Sequence, residues 1–460
     1  MIARLVLTAV LLALTLDAYA LGDQEILYWR PAGACTFSGN GKAYACAASN
    51  NALGAWVGGS KVLWSATDAT NAQVDPNDIL YVCGTHSVTN VDVSSRIRPS
   101  QNGNANDGYM IVDGRCPNDP GTISGGGTGA RLAWLDDRSY IHVRYMTFRE
   151  TGSLDYTISG YNQAAQDNDR FLIIEYNNFL DNLLTTAIVW LWGAHFEVNH
   201  NYFDNSNADT IYFKGGRDVG ASYNVFRRMG TTVATSPDCI QFDSTEVAST
   251  GTTILNYNDC DKSGAVNLKY GILAADRTGY TEIIGNRMIC PGPSTSPSGC
   301  SPILTGHKPS APTGEFKIHS NYLRYGWRGL TFFAGCNEAY PAQIIGNDIA
   351  GAGTLGIWLH STVDCVLIAN NTIVGNGILN AASPASGAHG LYIGKPDTTA
   401  VQITNNIFYG NYRGYFFTGT FGTTSSHNDY YGQVSWNIDS GSSQSLEASA
   451  LTVDPKFINV

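Results

Sequence analysis

The chain is predicted to be all-β, a right-handed parallel β-helix with an N-terminal cap, and three observations carry that reading. An Asn-led unit recurs as Asn178-Phe179, Asn201-Tyr202-Phe203, Asn224-Val225-Phe226, Asn286-Arg287-Met288, Asn321-Tyr322-Leu323, Asn347-Asp348-Ile349, Asn371-Thr372-Ile373 and Asn406-Ile407-Phe408. It first returns every 23 residues (178 to 201 to 224) and then at longer intervals, as inserted loops would require. Between the units lie short alternating segments such as Leu172-Ile173-Ile174-Glu175-Tyr176 and Val401-Gln402-Ile403-Thr404, with period 2 rather than 3.6. Composition agrees: only 14% of residues are charged, while glycine reaches 50 and tyrosine 25, which opposes disorder and suits a β-rich protein. A leucine-rich frame and the roughly four strands per repeat of a propeller are both missing. The Asn residues read as structural, satisfying the backbone at one corner of each turn.

The elements follow in order. Arg4, an apolar run to Leu16 and Ala18-Tyr19-Ala20 form a signal-peptide pattern over residues 1–20, so the mature chain is expected to begin at Leu21 and to be secreted or periplasmic. No second apolar stretch is long enough to span a bilayer. Residues 21–77 are an extension and cap containing Trp29 and Trp56, with a short helix expected over 65–73. Asp75-Pro76-Asn77-Asp78 then turns into Ile79-Leu80-Tyr81-Val82, the expected first core strand of a catalytic β-helix over 78–460. Asp113-Gly114-Arg115 and Ser139-Tyr140-Ile141-His142-Val143 continue the coils, and Asp454-Pro455-Lys456-Phe457-Ile458 reads as a closing rung. Ten cysteines pair most simply in chain order, Cys35/Cys46, Cys83/Cys116, Cys239/Cys260, Cys290/Cys300 and Cys336/Cys365. None is spaced C-x-x-C, so they read as staples in an oxidising compartment rather than as metal or redox centres. A net charge of -11 disfavours nucleic acid and anionic membrane as partners. It leaves an acidic polysaccharide open where a basic groove or a bridging cation acts locally, and the protein is expected to work as a monomer.

Three segments on successive turns carry the chemistry. Asn207-Ala208-Asp209-Thr210-Ile211-Tyr212-Phe213-Lys214 and Ser236-Pro237-Asp238-Cys239-Ile240-Gln241-Phe242-Asp243 each set an acid before an alternating strand. Gly264-Ala265-Val266-Asn267-Leu268-Lys269-Tyr270-Gly271 follows with a lysine. Adjacent turns stack roughly 4.7–4.9 Å apart, so such residues share a face. With Ala265 to Lys269 aligned as a strand, one edge carries Asp209, Asp238 and Arg328, and the other Lys214, Asp243, Lys269 and His360. Lys214, Arg217 and His360 are the candidate substrate-binding cations. Trp190, Trp192, Tyr212, Tyr270, Trp327 and Trp358 would either stack on sugar rings or build an aromatic ladder. Asp136-Asp137 read as turn residues, His307-Lys308 as part of an overhanging loop, and His142, His195 and His200 as structural histidines.

These motifs resemble polysaccharide lyase family 9, the pectate lyase-like group, over about sixty residues. The resemblance implies that Asp209 and Asp238 hold a catalytic Ca²⁺ and that Lys269 is the Brønsted base. Two positions that carry carboxylates in the family hold Pro237 and Gln241 here, and Asp243 is the expected replacement. The implied chemistry is β-elimination: a neutralised uronate carboxylate acidifies the C5 proton, which a base then removes, with Arg328 or Lys214 assisting the neutralisation. Other readings stay open. An inverting glycoside hydrolase would use Asp209 and Asp238 as acid and base, though no Gly-His-Gly follows. A uronate epimerase shares the proton abstraction. A non-catalytic adhesin or glycan-binding module needs no Asp–Asp–Lys cluster.

Overall fold

The computed structural model describes residues 24–456 apart from intervening segments, the longest of them 58–73, 89–96, 162–168, 231–236, 244–250, 306–314, 334–340, 379–387, 395–399, 418–423 and 441–447. The expected signal peptide, the helix at 65–73, His307, Lys308, Cys336, Phe457 and Ile458 lie outside the described residues. No helix among the described residues is long and apolar enough to cross a membrane.

Short strands stack in register into three parallel sheets of 15, 12 and 13 strands. One complete turn shows the course of the chain. Ala194–Asn199 lies in the first sheet, Tyr202–Asp204 in the third, Asp209–Lys214 in the second, and Val219–Ser222 returns to the first, one rung on. The protein is a parallel β-helix, as its Asn period requires. Two strands precede the expected first core strand: Ile26–Arg30 pairs in parallel with both Ile79–Val82 and Trp56–Val57.

Alternate side chains of all three sheets fill one continuous core, with Phe148, Phe179, Phe203 and Phe226 stacked inside the third sheet at 4.6–5.2 Å. Such rows are the solenoid's substitute for a globular centre, because each rung can bury its apolar face only against its neighbours.

The corner between the first and third sheets is the most regular part. Tyr176, His200, Tyr223 and Tyr257 each take φ between 55° and 58°, a left-handed geometry that costs a non-glycine residue energy. The asparagine after each offsets that cost. Asn201 Oδ1 accepts from the Asn177 backbone N–H at 3.0 Å while its Nδ2 donates to Ile174 O at 2.8 Å, and the pattern repeats through Asn224, Asn258, Asn286, Asn321, Asn347, Asn371 and Asn406 to Asn428. The ladder therefore uses Asn177, which is buried, and not the exposed Asn178 of the sequence reading, and it includes Asn258 and Asn428, which that reading passed over.

Among the described residues four expected disulfides are seen, Cys35–Cys46, Cys83–Cys116, Cys239–Cys260 and Cys290–Cys300, and Cys365 is disulfide-bonded, while its expected partner Cys336 lies outside those residues. Bridges of this number are typical of extracellular proteins.

Candidate functional site

The longer connections follow strands of the second sheet. The corner from first to third sheet is two residues long in most turns, whereas the chain leaving the second sheet runs from Asp243 to Thr252, from Thr305 to Phe316 and from Phe332 to Ala342. Loops collected along one face mark the face a solenoid uses for binding.

On that face the register sets the expected acids level. Ile211 pairs with Ile240, and Ile240 with Ile272, so Asp209, Asp238 and Tyr270 occupy one row. Tyr270 pairs with Ser301, and the Ile303–Leu330 pair brings Arg328 level with Ser301. Lys269 differs from expectation. The strand here is Tyr270–Ala274, so Lys269 sits just upstream of it, beside the Asp209–Asp238 row and not at the edge of Lys214 and Asp243. Ala265 to Lys269 alternates as a strand would, but Tyr-Gly-Ile-Leu-Ala supplies the apolar residues that face the core.

The two acids are built into their rungs. Asp209 Oδ1 accepts the Asp238 backbone N–H at 2.9 Å, and Asp238 Oδ1 accepts the Tyr270 N–H at 2.7 Å. The Gln241 amide, oriented with its nitrogen toward the acids, donates to Asp209 Oδ2 at 2.9 Å and Asp238 Oδ2 at 3.3 Å. Asp238 is 1% exposed. Burial pushes its carboxyl up to about 7, aided by the Asp209 charge and opposed by Lys262 and Lys269. Burial likewise raises Asp209, against the Asp238 N–H and the same two lysines.

Lys262 is the residue that sequence reasoning missed. It is 1% exposed, and its Nζ donates to Pro237 O at 2.5 Å and to Tyr270 O. Burial draws its ammonium down to about 8, against the pull of Asp238 and Asp209. A signal for it was present. Lys262 follows Cys260 by two residues and Asp238 precedes Cys239 by one, so the expected Cys239–Cys260 bridge already drew the two charges together. Lys269, by contrast, is exposed.

The remaining candidates spread along the sheet. Arg328 lies two rungs beyond Tyr270, about 10 Å at β-sheet spacing. Lys214 is at the far end of its strand, its Nζ 4.5 Å from the centre of the Trp192 ring and its Cα paired with that of Asp243. Arg217 is exposed in the turn leading to Val219–Ser222. His360 packs against Phe333 and Trp358 at 4.7 and 5.6 Å, and burial, with Arg328 nearby, lowers its ring. Asp136 accepts from Ser159 Oγ and the Tyr161 N–H and pairs with Arg131, a turn residue as expected. His142 contacts Glu175 at 2.8 Å, and His195 and His200 belong to aromatic stacks. A concavity of about 450 Å³ between Glu197, His200, Asp218, Gly220 and Tyr223 lies on the first sheet, away from this row.

As a calcium site the row offers little among the described residues. No set of three acidic, histidine or cysteine side chains converges. Asp209 and Asp238 already accept from amides on both oxygens, and Gln241 presents its donor, whereas calcium takes ~6–8 oxygens. The row instead combines a buried Asp238 and a half-buried Asp209, both hydrogen-bonded, with one exposed amine.

No family model and no curated protein matches the chain. Among solved structures it is similar to the A-module of the Azotobacter vinelandii mannuronan C-5 epimerase AlgE4, at 13% identity and TM-score 0.34, covering 82% of this chain and 91% of that one. The A-module of AlgE6 from the same organism is similar at 12% identity and TM-score 0.26, with the same coverage. At that identity and overlap the likeness says nothing of activity.

Proposed function

We propose that the chain is a polysaccharide lyase that cleaves a uronic-acid polymer by β-elimination, with Lys269 as base. The observation that carries this reading is the contrast within one row: Asp238 is buried and Asp209 half-buried, both engaged by backbone and Gln241 donors, while the amine beside them is exposed. Asp238 is too enclosed to reach a glycosidic oxygen. The two Oδ2 atoms, both bonded to one Gln241 nitrogen, cannot be further apart than those two contacts laid end to end. That is below the ~6.5 Å an inverting hydrolase needs to fit its water. Elimination asks only for one accessible base and a neutralised substrate carboxylate.

Lys269 takes the C5 proton. The C5–H electron pair forms the C4=C5 double bond as the C4–O bond breaks, and the departing oxygen takes a proton from water. No step runs through a metal.

Ultraviolet absorbance of unsaturated uronates, followed across a panel of acidic polysaccharides, tests the reading. Lys269→Ala is expected to lower kcat by ~10²–10⁴ without changing the melting temperature. An undiminished rate in that variant, or products without the double bond, overturns it. C5-inverted product without cleavage would point to an epimerase, and binding without turnover to a glycan-binding module.

A further inference from the structure

Several arginines in this protein are matched to partners. Asp113 takes both Arg115 and Arg144, Asp259 takes Arg227, Asp348 takes Arg324, and buried Arg170 donates to the carbonyls of Leu135 and Arg138. Arg328 has no such match. Its Cζ lies 3.5 Å from the centre of the Trp327 ring and 3.4 Å from that of Trp358, so indoles cover both guanidinium faces. Its Nε is buried and has no hydrogen-bond partner, and no carboxylate lies within ion-pairing distance among the described residues. An uncompensated, largely buried cation is costly to keep, and stacking replaces only part of its hydration.

With both faces covered, the guanidinium can bond only along its edge. The ligand that fits is planar, anionic and able to accept two parallel N–H bonds, namely a carboxylate. Two buried hydroxyls on the same two strands are without a hydrogen-bond partner: Ser301 Oγ, level with Arg328 on the preceding rung, and Thr331 Oγ1, three residues further along its own strand. Trp358 also belongs to the outward row of the second sheet, level with Thr331 and Tyr392, where a sugar chain would lie.

We propose that Arg328, clamped between Trp327 and Trp358, is a receptor for the carboxylate of a uronic acid residue, set two rungs along the sheet from Lys269. It holds the polymer at a neighbouring sugar and does not act on the one that reacts. The inference shares its substrate class with the proposed elimination but not its reaction, so the two fail separately.

Tryptophan fluorescence titration with trigalacturonate, and with its methyl ester as a neutral control, reads the site directly. Arg328→Met is expected to weaken trigalacturonate binding by ~10-fold or more, the loss of one charged hydrogen-bonding anchor. Arg328→Lys keeps the charge, loses the fork and the stacking, and is expected to fall nearly as far, with circular dichroism confirming that it folds. The ester should bind wild-type protein about as weakly as the acid binds Arg328→Met. Asn178→Ala, exposed on the third sheet, should bind the acid as wild type does. Equal affinity for acid and ester, undiminished binding by both Arg328 variants, or no binding by the wild type would each overturn the proposal. Arg328-dependent binding with no unsaturated product from any polymer would sustain it and remove the lyase reading.

Discussion

Lys262 and Asp238 are both buried, and the charge of each favours the charged form of the other. Burial raises Asp238 to about 7, above its unfolded value of 3.8, so the folded chain holds that proton more tightly than the unfolded chain does. The resulting stabilisation is complete below pH 3.8 and is lost as pH climbs through 7. Lys262 moderates the loss by attracting the carboxylate, and Lys262→Met removes that attraction while keeping the stem's volume. The variant is expected to lose ~3–5 kcal/mol at pH 8, the usual result of stranding a buried charge, and to recover much of it at pH 5, where Asp238 takes its proton. Urea midpoints at the two pH values check this, and an equal loss at both would mean that Lys262 contributes packing alone. At this scale the sequence disclosed types more readily than contacts. Asp209 and Asp238 were visible because each precedes an alternating strand, whereas the partners of Lys262 come from two other segments. The stacking of Arg328 was hidden for a related reason: Trp358 arrives from the next rung.

The Asn ladder shows why one element of this fold could be read almost whole. Its period is written in the chain because every rung needs the same amide at the same corner. Asn258-Asp259-Cys260 and Asn428-Asp429-Tyr430 were passed over although Asn347-Asp348-Ile349 has the same polar second residue, and Asn177-Asn178 offers two candidates of which only the first turns inward. Asn286 lies mid-ladder. Its Oδ1 accepts from the Asn258 backbone at 2.8 Å and from Asn258 Nδ2 at 3.0 Å, and its Nδ2 donates to Leu255 O at 2.7 Å. Asn286→Ala strands several buried groups at about 1–3 kcal/mol each, and a total loss of several kcal/mol is expected in denaturant unfolding. Asn178→Ala, one residue off the ladder and exposed, is expected to stay within ~0.5 kcal/mol. Similar losses from both would reduce the ladder to a packing row.

Across the whole molecule, stability is close to a sum of rungs and of the interfaces between them, so a local weakness at an end should open that end first. His86 is such a weakness. It is 2% exposed, its ring lies 3.9 Å from that of Trp29, and its Nε2 is 3.2 Å from Cys83 O. Burial lowers it to about 4, below its unfolded value of 6.5. The folded chain therefore binds fewer protons than the unfolded chain between those values. The stability that His86 contributes is complete above pH 6.5 and drains as pH falls toward 4, by about 1.4 kcal/mol per pH unit. Buried His389, in the last third of the solenoid and lowered to about 3 by burial and Arg413, acts in the same direction. The third-sheet strands Tyr202–Asp204 and Val225–Arg227, in the middle of the chain, contain no histidine. Hydrogen exchange at pH 7.5 and pH 5 is expected to show the amides of Leu27, Trp29 and Val82 losing protection on acidification while those of Phe203 and Phe226 keep theirs. His86→Leu should flatten the N-terminal response and leave the centre unchanged. Uniform loss along the chain, or an N-terminal response indifferent to His86, would mean that the rungs open together and that the solenoid is cooperative over its whole length.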